Sequence, residues 1–256
     1  MKNSLRTIVL GIALLASFAT ISAQRDWLTK PFSEWTKSQA EAVLNDSPWA
    51  VHQELRIKFD KETQTAAGSY SGVSSAAAAQ SRTEVTSQIP VDFIFTLRLR
   101  SALPIRQALV RLRQLQDISK MNEKERASFN VQTNGLLDCP ACANNYVLTL
   151  SSKSTNSPGA DAVYTLFKGA RLADLQRNVY IANETGERRE LVYFVPPKTP
   201  GEEAIFFFPR LNDKGRPLLL ADNRELLINF ANNDANSIGN FKISSASLAL
   251  NGKIEF

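Results

Sequence analysis

Two stretches of alternating apolar and polar residues constrain the fold of this chain more than any other feature. In residues 51–60 (VHQELRIKFD) and 89–100 (IPVDFIFTLRLR), nearly every second side chain is apolar. This is the period of a β-strand that buries one face and exposes the other. Strands of this kind are typical of antiparallel sheets with one solvated face. The alternation therefore predicts an antiparallel sheet packed on a core.

Helices are predicted as insertions between strands rather than as regular crossovers. Residues 103–118 carry apolar side chains at helical spacing, with Pro104 in the first turn. Asn122 is placed to cap a second short helix over 123–129. One more short helix is predicted within 161–175, and further strands at 146–151, 178–182, 190–195, 204–209, 225–230 and 247–256. The predicted fold class is α+β and β-rich: an antiparallel β-sandwich or curved sheet with two or three inserted helices.

The first 23 residues have the three-part layout of a secretory signal peptide. Lys2 and Arg6 precede an apolar run over 8–21, which ends at the small residues Ser22 and Ala23. The run is shorter than the roughly 20 residues of a membrane-spanning helix, which favours cleavage over anchoring. No second long apolar run follows, so no transmembrane helix is predicted in the mature chain. We therefore expect a secreted or periplasmic protein.

The mature chain is predicted to have two parts. Residues 24–49 form a docking segment that contains all three Trp of the chain and a T-x-x-Q capping box at Thr36 and Gln39. Residues 50–256 form a single β-rich domain. Within it, the Ala- and Ser-rich stretch at about 63–88 has no clear apolar period and is predicted to be a flexible loop.

The chain has only two cysteines, Cys139 and Cys142, in a C-x-x-C spacing. In an oxidising compartment two neighbouring cysteines are expected to form a structural disulfide. The same spacing is found in thiol-redox motifs, although these place the first cysteine at a helix start. A structural zinc site needs four ligands, and a second cysteine pair is absent from the sequence. A disulfide is the leading interpretation, with redox chemistry and metal handling as alternatives; no metal ligand is assigned.

A cluster of arginines is the second candidate site. Residues 93–116 contain five Arg and no Lys, Asp or Glu. Arginine grips carboxylate or phosphate groups with a planar fork of donors. We therefore consider four of these residues as candidate anion-binding groups: Arg98, Arg100, Arg106 and Arg113. The alternative is that they lie along element edges and pair with surface acids.

Composition and motifs exclude several function classes. Removing Lys2 and Arg6 from the 30 basic side chains leaves 28 against 25 acidic ones, a net charge of +3. Such a small excess does not predict nucleic-acid binding, which needs a clustered basic face. The single histidine, His52, falls on the charged face of its strand, where we expect a solvated side chain. No phosphate loop, nucleophile elbow or H-E-x-x-H motif occurs, and no cofactor is predicted.

Four segments resemble those of a group of uncharacterised secreted bacterial proteins. They are E-W-T at 34–36, S-P-W-A at 47–50, S-A-L-P-I-R-Q-A-L at 101–109 and N-G-K-I-E-F at 251–256. The resemblance implies export. It transfers no catalytic residue, because no activity is known for that group.

The sequence as a whole favours an exported, non-enzymatic envelope or extracellular protein with a binding or structural role. An anionic peptide or glycan is the partner that the arginines would suit. The first alternative is an envelope thiol-redox or metal-handling protein that uses Cys139 and Cys142. The second is an outer-membrane β-barrel, because the alternating C-terminal stretch ends in Phe256.

The signal layout predicts cleavage before Gln24. Mass spectrometry of the protein purified from its native host should find Gln24 at the mature N-terminus. A cytosolic protein that still begins at Met1 would contradict the predicted compartment, and with it the expectation of an oxidised cysteine pair.

Overall fold

The two alternating segments form neighbouring strands of one sheet. In the computed structural model, β1 (Ala50–Phe59) pairs antiparallel with β2 (Ile89–Leu99) along its whole length. The structure describes residues 27, 29–59, 89–116, 121–220, 223–230, 238–250 and 253–256. The predicted signal peptide and the predicted loop at 63–88 lie outside these residues.

Two antiparallel sheets make up the β-structure. The remaining strands are β3 (Asn145–Ser154), β4 (Val179–Asn183), β5 (Arg188–Glu190), β6 (Tyr193–Val195), β7 (Ala204–Pro209), β8 (Glu225–Phe230), β9 (Gly239–Ser244), β10 (Ala249–Leu250) and β11 (Lys253–Ile254). The first sheet has the order β1-β2-β3-β7-β6 and the second the order β5-β4-β8-β9, while β10 and β11 form a short separate pair. The predicted antiparallel α+β class is therefore confirmed.

The two large sheets share one apolar core. On β2, the inward side chains are each at most 1% exposed: Val91, Phe93, Phe95, Leu97 and Leu99. Between the sheets, the ring of Phe206 on β7 lies 5.0 Å from that of Phe230 on β8, edge to face. Burial of such large apolar surfaces is the main stabilising contribution in a sandwich of this kind.

Helices cover the ends and edges of the sheets. They are α1 (Lys37–Asn45), α2 (Leu103–Gln114), α3 (Glu123–Asp138), α4 (Pro140–Asn144), α5 (Ala162–Phe167) and α6 (Leu172–Leu175). The predicted capping box at the start of α1 is present, with Thr36 and Gln39 each bonded to the backbone of the other. Helix α2 packs between α1 and α3. None of the described helices has the length and apolar character needed to cross a membrane.

The three tryptophans of the N-terminal segment lie together in the core. Trp27, Trp35 and Trp49 are 6%, 3% and 1% exposed. The ring of Trp27 contacts both others edge to face, at centroid distances of 5.8 and 6.0 Å. The indole N–H of Trp49 donates to the carbonyl of Glu255 at 2.8 Å. These contacts fix the N-terminal segment and the last strand to the same end of the sandwich.

Several element boundaries differ from the sequence prediction. Helix α3 runs to Asp138 rather than to residue 129, although Thr133 is its only fully buried residue. The residues that cap the helix determine where it begins and ends. Asn122 and Glu125 form a capping box at its start, and Cys139 ends it in the left-handed conformation, at φ 34°. An apolar stripe cannot reveal a helix that buries so little.

The prediction of one strand over 190–195 is wrong. It is two strands, β5 and β6, that belong to different sheets. Leu191 is fully buried between them, so the chain crosses from one sheet to the other within two residues. Strand β9 was not predicted, and most of 247–256 is a 3₁₀ turn followed by very short strands.

Candidate functional site

Arg98 organises the outer face of the first sheet, the side that faces away from the core. Its Nε donates to the carbonyl of Leu44 at 2.8 Å, and one Nη donates to the Asn45 side chain at 2.9 Å. The other Nη reaches Ser151 Oγ at 3.1 Å and Glu203 Oε1 at 2.7 Å. The side chain is only 14% exposed. Arg98 therefore caps the C-terminal end of α1 and neutralises Glu203. All three of its guanidinium nitrogen atoms are engaged in these bonds, so none is left to bind a ligand.

Arg100 and Arg113 stand beside this network but outside it. Both residues are half-buried, and no hydrogen bond of either guanidinium group occurs within the described part of the chain. Neither guanidinium has a nitrogen atom that is both fully buried and without a partner. Burial lowers the pKa of Arg100; Glu203 opposes this shift, and the positive charge of Arg113 adds to it. Two cations thus lie near one carboxylate, and Arg98 already holds that carboxylate at 2.7 Å. We call Arg100, Arg113 and the Arg98–Glu203 pair the arginine site.

The arrangement leaves net positive charge in a place with reduced access to water. Partial burial of a cation has a desolvation cost, and a group of opposite charge offsets that cost. Carboxylates and phosphates match the guanidinium fork and would supply that charge. The arginine site therefore has the electrostatics of an anion-binding site, with Arg100 and Arg113 as its free donors.

Arg106, the fourth predicted member, lies elsewhere. It donates to the carbonyl of Leu137 at the end of α3, and Glu255 and Asp138 are the acids that act on it. Burial lowers its pKa, and its Nε has no hydrogen-bond partner among the described residues. The structure thus brings Arg100 and Arg113 together beside Arg98 and separates Arg106 from them.

Arg106 belongs to a second cation cluster around Arg210. The guanidinium of Arg210 stacks on the rings of Tyr146 and Phe256, 5.0 Å from each centroid. Its Nε donates to the carbonyl of Cys142 at 2.8 Å, and an Nη donates to the main-chain oxygen of Phe256. These bonds fix the last residues against β3 and α4, so this cluster is structural.

His52 is exposed, as predicted for its strand face, but both ring nitrogens are engaged. Nδ1 lies 3.0 Å from the Thr96 hydroxyl, and Nε2 contacts the carbonyl of Asn45. Because a carbonyl only accepts, Nε2 carries a proton. His52 thus bonds to the C-terminal end of α1 together with Arg98, and the hydroxyl that it contacts, on Thr96, belongs to a residue that is only 9% exposed.

The sulfur atoms of Cys139 and Cys142 lie at disulfide distance, with their Cα atoms 5.3 Å apart. Cys139 precedes α4 as its N-cap residue, and Cys142 is 5% exposed inside it. The redox alternative expects a cysteine at a helix start, and Cys139 has that position. However, α4 has only five residues and develops little of the dipole that stabilises a thiolate.

The described residues contain no group of three or more His, Cys, Asp or Glu side chains placed to hold a metal ion. The buried-polar pair Ser152 and Asp161 has a capping role: Ser152 Oγ donates to Asp161 at 2.7 Å, and Asp161 accepts from the N–H of Tyr164 and Gly201. These two residues join β3, α5 and the turn before β7.

Comparison of the chain with family models, with curated proteins and with solved structures finds no match. The candidate site therefore depends on the geometry of this chain alone.

The structural role of Arg98 and the absence of such a role for Arg100 can be tested by measuring the stability of variants. We expect Arg98→Met to lower the free energy of unfolding by about 2 kcal/mol, because Glu203 and the end of α1 lose their donor. Arg100→Met should leave it unchanged or raise it by up to about 1 kcal/mol, since an unsatisfied cation is removed. Urea unfolding of the two variants measures both effects. Equal losses would show that Arg100 is part of the structural network.

For the cysteines, we expect a structural role. Replacing both with Ser should lower the free energy of unfolding by no more than about 2 kcal/mol, because the closed loop is very short. Thiol–disulfide exchange with a protein dithiol decides the redox alternative. Rapid turnover that is lost in Cys142→Ser would establish redox chemistry in place of a structural disulfide.

Proposed function

We propose that this is an exported, non-enzymatic binding protein whose ligand carries an acidic group and binds at the arginine site. The observation that carries the proposal is the charge around Arg100: a half-buried residue whose guanidinium makes no hydrogen bond within the described residues and feels the positive charge of Arg113. An acidic group of a ligand would balance this excess of positive charge.

The surrounding structure supports this role by holding the donors in place. Arg100 directly follows β2, where the backbone N–H of Ser101 bonds to the carbonyl of Val147 at 3.1 Å. Arg113 is in the last turn of α2, a helix that packs on α1. Arg100 thus lies next to a strand end and Arg113 on a packed helix, so an incoming carboxylate has only the two side chains to order.

Glu203 moderates the charge of the same site. It is 27% exposed and bonded to Arg98 at 2.7 Å, and its negative charge also acts on Arg100. Arg100 and Arg113 nevertheless keep an excess of positive charge, which an acidic ligand would balance.

The proposal is tested by isothermal titration calorimetry of the mature protein with poly-L-glutamate and with polygalacturonate. We expect binding of at least one polymer, and a loss of about tenfold or more in affinity for Arg100→Ala and Arg113→Ala, because each removes a charge-assisted hydrogen bond. Affinity should also fall as salt rises from about 0.05 to 0.5 M, because screening weakens exposed charge pairs.

Arg188→Ala is the matched control, since Arg188 is an exposed arginine on the second sheet that is paired with Glu190. Its affinity should equal that of the wild type. Two results would contradict the proposal: neither polymer binds, or Arg100→Ala and Arg113→Ala bind like the control.

A further inference from the structure

Next to the arginine site, the outer face of the first sheet carries apolar side chains instead of polar ones. Strands β6 and β7 contribute four of them, which we call the apolar platform: Tyr193, Val195, Ile205 and Phe207. Tyr193 is 58% exposed, and the other three are half-buried. The rings of Tyr193 and Phe207 contact each other at a centroid distance of 5.2 Å. An exposed apolar group of this kind on a sheet face is typical of a binding surface.

The hydrogen-bond register joins the platform to the arginine site. Val147 on β3, whose carbonyl accepts from the residue after Arg100, lies opposite Phe207 on β7. Phe207 in turn lies opposite Tyr193 on β6. Arg100 follows the end of β2, one strand beyond Val147. Because neighbouring strands are about 4.8 Å apart, the backbone of Tyr193 is about 14 Å from that of Arg100 across the sheet. Arg100 and the aromatic pair therefore lie in one row of the sheet, on either side of Val147, which is 2% exposed.

This distance selects the kind of ligand that can use both parts. About 14 Å corresponds to roughly four residues of an extended peptide, and side chains four residues apart point to the same face of it. A peptide with an acidic side chain and a large apolar side chain at that separation would place the first at Arg100 and Arg113 and the second on Tyr193 and Phe207. Burial of the apolar side chain would contribute free energy that a purely anionic ligand lacks.

An acidic glycan fits the same surface less well. Its hydroxyl groups need hydrogen-bond partners when they leave water. The platform offers only the hydroxyl of Tyr193, because Val195, Ile205 and Phe207 have hydrocarbon side chains. Charge complementarity and apolar surface together favour the peptide.

We infer that the arginine site and the apolar platform together bind an extended peptide segment that carries an acidic and an apolar side chain about four residues apart. This inference rests on the proposed function, since it names the ligand class of the same site.

The test compares two fluorescently labelled short peptides by anisotropy on the mature protein. Both contain two glutamates; one has a phenylalanine four residues from the nearer glutamate, and the other has serine there. We expect the phenylalanine to strengthen binding by about tenfold or more. In Tyr193→Ala this gain should disappear, while the affinity for poly-L-glutamate stays at the wild-type value. Tyr180→Ala, on the second sheet, is the matched control and should keep the gain.

Three results would overturn the inference. The phenylalanine gives no gain, the gain survives in Tyr193→Ala, or polygalacturonate binds more tightly than the peptide and loses affinity in Tyr193→Ala. In each case, poly-L-glutamate binding that still depends on Arg113 would leave the proposed function standing. Loss of all anion dependence would instead contradict the proposed function itself.

Discussion

The ion pair between Arg98 and Glu203 is the interaction on which the outer face of the first sheet depends. It joins β2 to the residue before β7, and the other donors of the same guanidinium close α1 and bind Ser151 on β3. One side chain thus fixes a helix end and three strands relative to each other. Because Arg98 is 14% exposed, the pair is screened far less than a surface salt bridge would be.

The same ion pair determines what the neighbouring arginines can do. Since Arg98 holds Glu203 at 2.7 Å, Arg100 and Arg113 remain without a carboxylate of their own within the described residues. The structural ion pair thus lies beside the two arginines that we propose to bind the ligand.

Much of this architecture could be predicted from local pattern. The alternation in β1 and β2 predicted the face that each side chain takes, and Thr36 and Gln39 predicted the start of α1. The partner of Arg98 could not be predicted, because Glu203 is 105 residues away in sequence and the pair exists only through the β3–β7 register. The same holds for Arg106, which helical spacing placed with Arg113 but which bonds to Leu137 because α3 extends to that point. The sequence predicts β5 and β6 as one strand, because no turn residue separates them at the point where the chain changes sheet.

That change of sheet has a mechanical consequence. Only Leu191 and Val192 separate β5, at the edge of the second sheet, from β6, at the edge of the first. Two residues span about 7 Å, so they leave no slack for one sheet to slide over the other at this edge. Leu191 is fully buried in the core and holds the two sheets together at this edge. The three-residue strand β6, which carries Tyr193, is thereby held by both sheets. A short edge strand attached to one sheet alone would be more mobile.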